Sequence, residues 1–206
     1  MCWNQKISLN TFLFSLFGIS FAYFNKVINI FYYLFFLSFI SMQLLEYFAW
    51  GNLNDKKINR LLSKVGLFLI FIQPILFTLS HYNIETKIKT TIIALYTMFS
   101  LFCVLYFPID FSMHKATNGH LAWNWLSFPT IIIFIWVSCC FGLILYQKQY
   151  IKFSVYLIIF LSIYYTYYKT NTWGSLWCWL ANLLSIFWII KAFDLNLSNC
   201  CLVKNP

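Results

Sequence analysis

Long apolar runs divide this chain and leave it almost no choice of fold. They cover about Ile7–Phe24, Ile28–Trp50, Leu61–Ser80, Thr90–Phe107, Phe128–Tyr146, Tyr150–Tyr168 and Trp173–Phe193. A helix needs about 20 mostly apolar residues to cross about 30 Å of hydrocarbon, and each run is of that order. In lipid every backbone N–H and C=O has to be satisfied within the spanning structure. The runs are continuously apolar rather than alternating, which selects helices over the strands of a membrane barrel. The expectation is an all-α, polytopic membrane bundle of about seven transmembrane helices.

Composition closes off the soluble alternative. Only 9% of the residues are charged and 62% are hydrophobic, whereas a water-facing domain carries roughly 25% charged residues. At about 20 residues per span the runs fill about 140 of the 206 positions. Residues 1–206 therefore read as a single integral membrane domain with short loops. The first run is read as an uncleaved span, since no A-x-A site follows it. Tyr164, Tyr165, Tyr167 and Tyr168, just before Lys169, read as an interfacial aromatic belt.

The formal charge of +9 would suggest nucleic acid on a soluble protein. Here the bases stand singly or in small groups between apolar runs, where they meet lipid headgroups. No basic stripe or recognition motif is present, so nucleic acid is not an expected partner and the bilayer is. Orientation does not follow from the charges. Seven of the 14 bases fall on each side when the connections alternate, and the positive-inside rule compares those counts. Which membrane holds the chain is equally open, and an oligomer is compatible with the sequence without being required.

Polar residues inside the runs are where function would show, because burying them without partners is unfavourable. Gln43, Glu46 and Trp50 lie at offsets of 3 and 7 on one face of the second helix. Glu46 is the only acidic residue in any run. Two readings are open for it: an interfacial carboxylate near the helix end, or an inward-facing group suited to a proton or cation path or to acid–base chemistry. Ser175, Cys178, Asn182 and Ser185 form a stripe on the seventh helix. It suits interhelical packing first and the lining of a pore or pocket second. Gln73-Pro74 sits near the middle of the third run, where the proline frees a backbone carbonyl near Ile70 for another partner.

The connection from Ile109 to about Phe128 carries Asp110, His114 and His120. A carboxylate and two imidazoles are metal-ligand types, but their spacing matches no strong metal motif. No metal or other cofactor is expected. The seven cysteines are scattered without a C-x-x-C pair, and Cys200-Cys201 just beyond the last run suit palmitoylation only if that end is cytoplasmic.

The segment Ser41–Trp50, with Gln73-Pro74 and Trp173-Gly174-Ser175-Leu176-Trp177-Cys178-Trp179, resembles a family of uncharacterised multi-pass membrane proteins of large DNA viruses, algae and other protists. The pattern Q-x-x-E-x-x-x-W is its most specific part. The resemblance implies a membrane protein and supplies no activity. Motifs of better-known seven-helix families are missing: Lys191 lies too near the end of the last helix for a retinal attachment site, and that helix has no histidine.

Three functions follow as expectations. The first is a bundle that binds or moves a small solute or ion, with Gln43, Glu46 and Asn182 lining its interior. The second is a membrane-embedded enzyme that uses Glu46 with His114 and His120. The third is a structural membrane component of a virion or organelle. Of these, an enzyme is less expected than a non-enzyme.

Overall fold

A computed structural model describes the backbone of residues 4–202, and the side chains of those residues apart from 175–179 and 195–202. Among the described residues the chain forms seven α-helices. They are α1 (Gln5–Phe24), α2 (Ile30–Gly51), α3 (Lys56–Ser80), α4 (Thr86–Tyr106), α5 (Thr130–Tyr146), α6 (Tyr150–Tyr167) and α7 (Trp177–Leu202). Five of them, α1 to α4 and α6, are long and apolar enough to cross a membrane by length and composition. Helix α5 is equally apolar but has 17 residues.

The helix ends depart from the apolar runs where local chemistry outweighs hydropathy. Helix α3 starts at Lys56, earlier than the run, because the Asp55 carboxylate accepts from the Lys57 and Ile58 amides. That satisfies two of the donors left open by a helix start. Asn29 caps α2 by accepting from the Tyr32 N–H, while its own amide donates to the Ser80 carbonyl at 2.8 Å. One side chain thus starts α2 and ties it to the end of α3. Pro129 takes the cap position of α5 rather than its first turn. The stretch Trp173–Leu176 is a 3-10 turn, so α7 begins later than its run and continues past it to Leu202.

Helices α2 and α3 pack along their length, and α1 packs on both α2 and α7. The α1 face in this contact is small: Ser8, Thr11, Ser15, Gly18 and Ala22 are all buried, at helical spacing. A Cβ added at Gly18 would stand 2.8 Å from Ser185 Cβ and 3.1 Å from its carbonyl oxygen. Small residues let the two backbones approach, the usual basis of helix association in lipid. Helix α5 packs on α3 and α6. Helices α4 and α6 are peripheral, with only Tyr96 and Cys103 buried on α4 and Phe160 on α6. Their exposed Leu, Ile, Phe and Met side chains face where hydrocarbon would be.

Pro74 sits inside α3, and the carbonyl it frees is occupied. The Trp136 indole N–H on α5 donates to the Ile70 oxygen at 3.1 Å. The backbone group given up by proline becomes the joint between α3 and α5.

The polar connection between α4 and α5 has structure of its own. Strands β1 (Met113–Lys115) and β2 (Leu121–Trp123) pair antiparallel, with Met113 opposite Trp123. Gly119, at φ +81°, supplies the left-handed residue of their turn.

Candidate functional site

The two ends of the bundle differ in kind. At the end of the α2–α3 turn, the β-hairpin folds back as a plug. Trp123 is 0% exposed, and a Cβ at Gly66 of α3 would come within 2.6 Å of its ring. Only glycine leaves room for the indole there. Asn59 holds the hairpin edge as a third strand would: its amide donates to the Met113 carbonyl and accepts from the Met113 N–H, both at 2.9 Å. Asn118 donates to Thr170 and Thr172, joining the hairpin to the α6–α7 connection. Trp125, Leu126 and Trp173 complete the plug, all buried.

Glu46 and Gln43 point into this half of the molecule, buried to 1% and 0% exposure. Trp50 is half-buried, and its indole nitrogen has no hydrogen-bond partner among the described residues. Asn182 takes the packing role. The Ser15 hydroxyl of α1 donates to its Oδ1 at 3.4 Å, and Ser185 beside it bonds back to the Ala181 carbonyl. The side chains of Ser175 and Cys178, like those of Cys200 and Cys201, lie outside the described residues.

The three loop candidates for a metal do not come together as a ligand set among the described residues. Asp110 is exposed and accepts from the Asn124 amide at 2.7 Å. This bond first, and Ser112 second, hold its carboxyl below the usual range. His114 is exposed on β1, opposite Ala122. His120 is buried edge-on to the Tyr167 ring, and burial lowers its pKa. Among the described residues no three His, Cys, Asp or Glu side chains are placed to hold a metal ion.

Among the described residues the opposite end is open. A vestibule of about 890 Å³ lies between the α3–α4 turn, the α5–α6 turn and the second half of α7. His81, Gln147, Gln149, Lys152 and Lys191 bring polar groups to it. Volumes of this order are typical of ligand pockets. The Lys191 ammonium stands 5.4 Å from the Phe187 ring centre and 6.0 Å from that of Trp188. The His81 ring donates from Nδ1 to the Phe77 carbonyl at 2.8 Å. Burial lowers its pKa, the Phe77 bond opposes this, and Lys89 and Lys152 add to the lowering. At neutral pH the positive charge of the vestibule therefore comes from its two lysines.

Behind the vestibule lies a narrower cavity of about 80 Å³, bounded by α2, α3, α5, α6 and α7. Tyr32, Phe77, Ile144 and Tyr156 line both spaces, so the two are adjacent and share a wall. The walls of the cavity are mostly aromatic and aliphatic, with the Cys140 thiol, two tyrosines and one amide, Gln73. Gln73 is 2% exposed, and its side-chain nitrogen has no hydrogen-bond partner among the described residues. An unmatched donor buried in an apolar cavity is unfavourable by roughly 1–3 kcal/mol. It stands here in the wall of the cavity that adjoins the vestibule.

Of the intramembrane candidates read from sequence, Gln73 lines this cavity, whereas Gln43, Glu46 and Asn182 are not in its wall. Sequence reading gave no site role to His81, Lys152 or Lys191. The signal was there: Lys152 and Lys191 stand inside helices rather than in loops, on one side of the bilayer by connectivity. No protein-family model, curated protein or solved structure matches the chain.

Proposed function

We propose that this helical membrane protein binds a small, largely apolar solute inside the bundle, entering from the lysine-bearing end. One observation carries the reading: the Gln73 amide donor, buried and unmatched among the described residues, in the wall of an otherwise apolar cavity. A solute with an acceptor oxygen on an apolar body answers both features. At about 80 Å³ the inner space is smaller than the roughly 150 Å³ that takes a benzene ring. A chain segment suits it better than a ring. Movement of such a solute across the bilayer would require the tryptophan plug to open, so binding is the primary activity proposed and transport an extension of it. Kinship with the multi-pass family resembled by the Gln43, Glu46 and Trp50 spacing belongs to the same proposal.

The test is Gln73→Leu, nearly equal in volume. The variant should unfold at higher temperature, because a buried unmatched donor is gone, by about 1–3 kcal/mol. It should also bind 1-butyrylglycerol, whose four-carbon acyl group suits a space of this size, about two- to tenfold more weakly, the worth of one hydrogen bond. Unchanged binding together with unchanged stability would sink the role of Gln73.

A further inference from the structure

We infer that the ligand is an amphipathic anion: a phosphate-type head seated at Lys152 and Lys191, with its acyl chain passing between Tyr32, Phe77, Ile144 and Tyr156 into the Gln73 cavity. This rests on the binding function proposed above and names its ligand class.

Charge comes first. Lys152 and Lys191 are the two ammonium groups of the vestibule wall, and no Asp or Glu is among the residues lining it. They come from different helices, α6 and α7, so the fold rather than local sequence brings them to one space. Both lysines border this space, and among the described residues its wall carries no carboxylate; Asp194 stands one turn beyond Lys191 on α7. Charge-assisted hydrogen bonds are about twice as strong as neutral ones.

Continuity comes second. The residues shared by vestibule and cavity are aromatic or aliphatic. A ligand anchored at the lysines can therefore extend inward only through an apolar passage. Helix α6 packs on α5, and near its far end on the turn before α7. Tyr156 and Ile159 of α6 face Leu180 and Leu184 of α7 across the cavity. A ligand lying between these two helices has one foot in the headgroup layer and its chain at hydrocarbon depth, as a lipid does.

Depth comes third. Gln73 stands four residues before Phe77, the α3 residue that lines both spaces, which at 1.5 Å per residue puts it about 6 Å further into the bundle. A polar linker oxygen beneath the head, such as an ester carbonyl, is the acceptor that matches this amide. Head, linker and chain each meet a different part of the wall.

The full-length protein in nanodiscs of phosphatidylcholine separates the possibilities. Two probes share one four-carbon chain: 1-butyryl lysophosphatidate has an anionic head and 1-butyrylglycerol a neutral one. Lysophosphatidate should bind about tenfold more tightly, from two partly exposed charge-assisted contacts, and the preference should shrink as salt screens it. In the Lys152→Gln/Lys191→Gln variant the preference should vanish, with an unchanged melting temperature showing that the variant is folded; a preference that survives in the folded variant overturns the lysine seat. Equal affinity for the two probes in the unaltered protein overturns the anion assignment and leaves the binding function standing. Failure of both probes overturns the two together. Phosphatidate placed in the nanodisc bilayer should compete if the natural source is a membrane phospholipid. Lack of competition, with lysophosphatidate still bound, identifies a soluble single-chain amphiphile instead.

Discussion

The tryptophan end and the lysine end of this bundle are built from similar helices and do opposite things. At one end a β-hairpin with Trp123 at its edge fills the space over Gly66, and Asn59 and Asn118 tie it down. At the other, short turns leave a vestibule of about 890 Å³ that narrows into the bundle. The contrast lies in the connections. A long loop with its own hydrogen bonds can return over the helices, whereas the Gln147-Lys148-Gln149 turn is too short to cover anything. Among the described residues the two ends thus differ in how far their connections cover the helices.

Removing the plug's largest side chain is the strongest way to break this contrast. Trp123→Ala should destabilise the protein by about 3–5 kcal/mol, the range for a deleted core aromatic. Hydrogen exchange should rise in the first half of α3 and leave the Asn29–Ser80 junction unchanged. Equal exchange at both ends would show that they are not independent units.

Gly66→Ala attacks the same contact from the other side. Its methyl would meet the buried Trp123 ring at 2.6 Å, so a loss of about 1–3 kcal/mol is expected from overpacking. Thermal unfolding in detergent reads it, and the Gly66→Ala/Trp123→Ala pair should be less than additive. Full additivity would mean that the glycine serves something other than the indole.

Asn59→Ala removes the side chain that pairs both backbone groups of Met113. A loss of about 1–2 kcal/mol follows from two ordinary hydrogen bonds. Proteolysis within residues 109–128 should speed up, with binding at the lysine end retained.

The smallest effect is one of pH. The Asp110 carboxyl is held below its usual range by the Asn124 amide and by Ser112. A depressed folded pKa means stability that is present above the unfolded value and lost as pH falls through the folded one. Below about pH 4 the start of the hairpin connection should loosen slightly, and Asp110→Asn should abolish that dependence. The side chain is exposed, so the change should show in local proteolysis and leave the melting temperature almost unmoved.

Much of the fold was legible before any coordinates. In lipid, backbone hydrogen bonds must close locally, so an apolar run of sufficient length is already a helix. The Ile70 carbonyl was legible too, because a proline four residues on has a fixed consequence; its partner, Trp136, was not. The helix starts at Lys56 and Trp177 were misplaced by hydropathy, since a capping carboxylate and a 3-10 turn leave no apolar signal. The hairpin was invisible as well, as three-residue strands in a polar loop show no period.

The site was less legible than the fold, and Asn182 shows why. Its stripe on α7 was visible, but whether it faced a pore or another helix depended on Ser15, 167 positions away. Gln73 could be named from sequence, yet its surroundings come from five different helices. By itself the sequence determined that this chain lives in lipid as a bundle of helices, because the solvent dictates that locally. The tertiary structure alone decided that one end is sealed by tryptophan and the other held open beside two lysines. Those outcomes depend on helix crossings, and a crossing is set by surfaces that lie far apart along the chain.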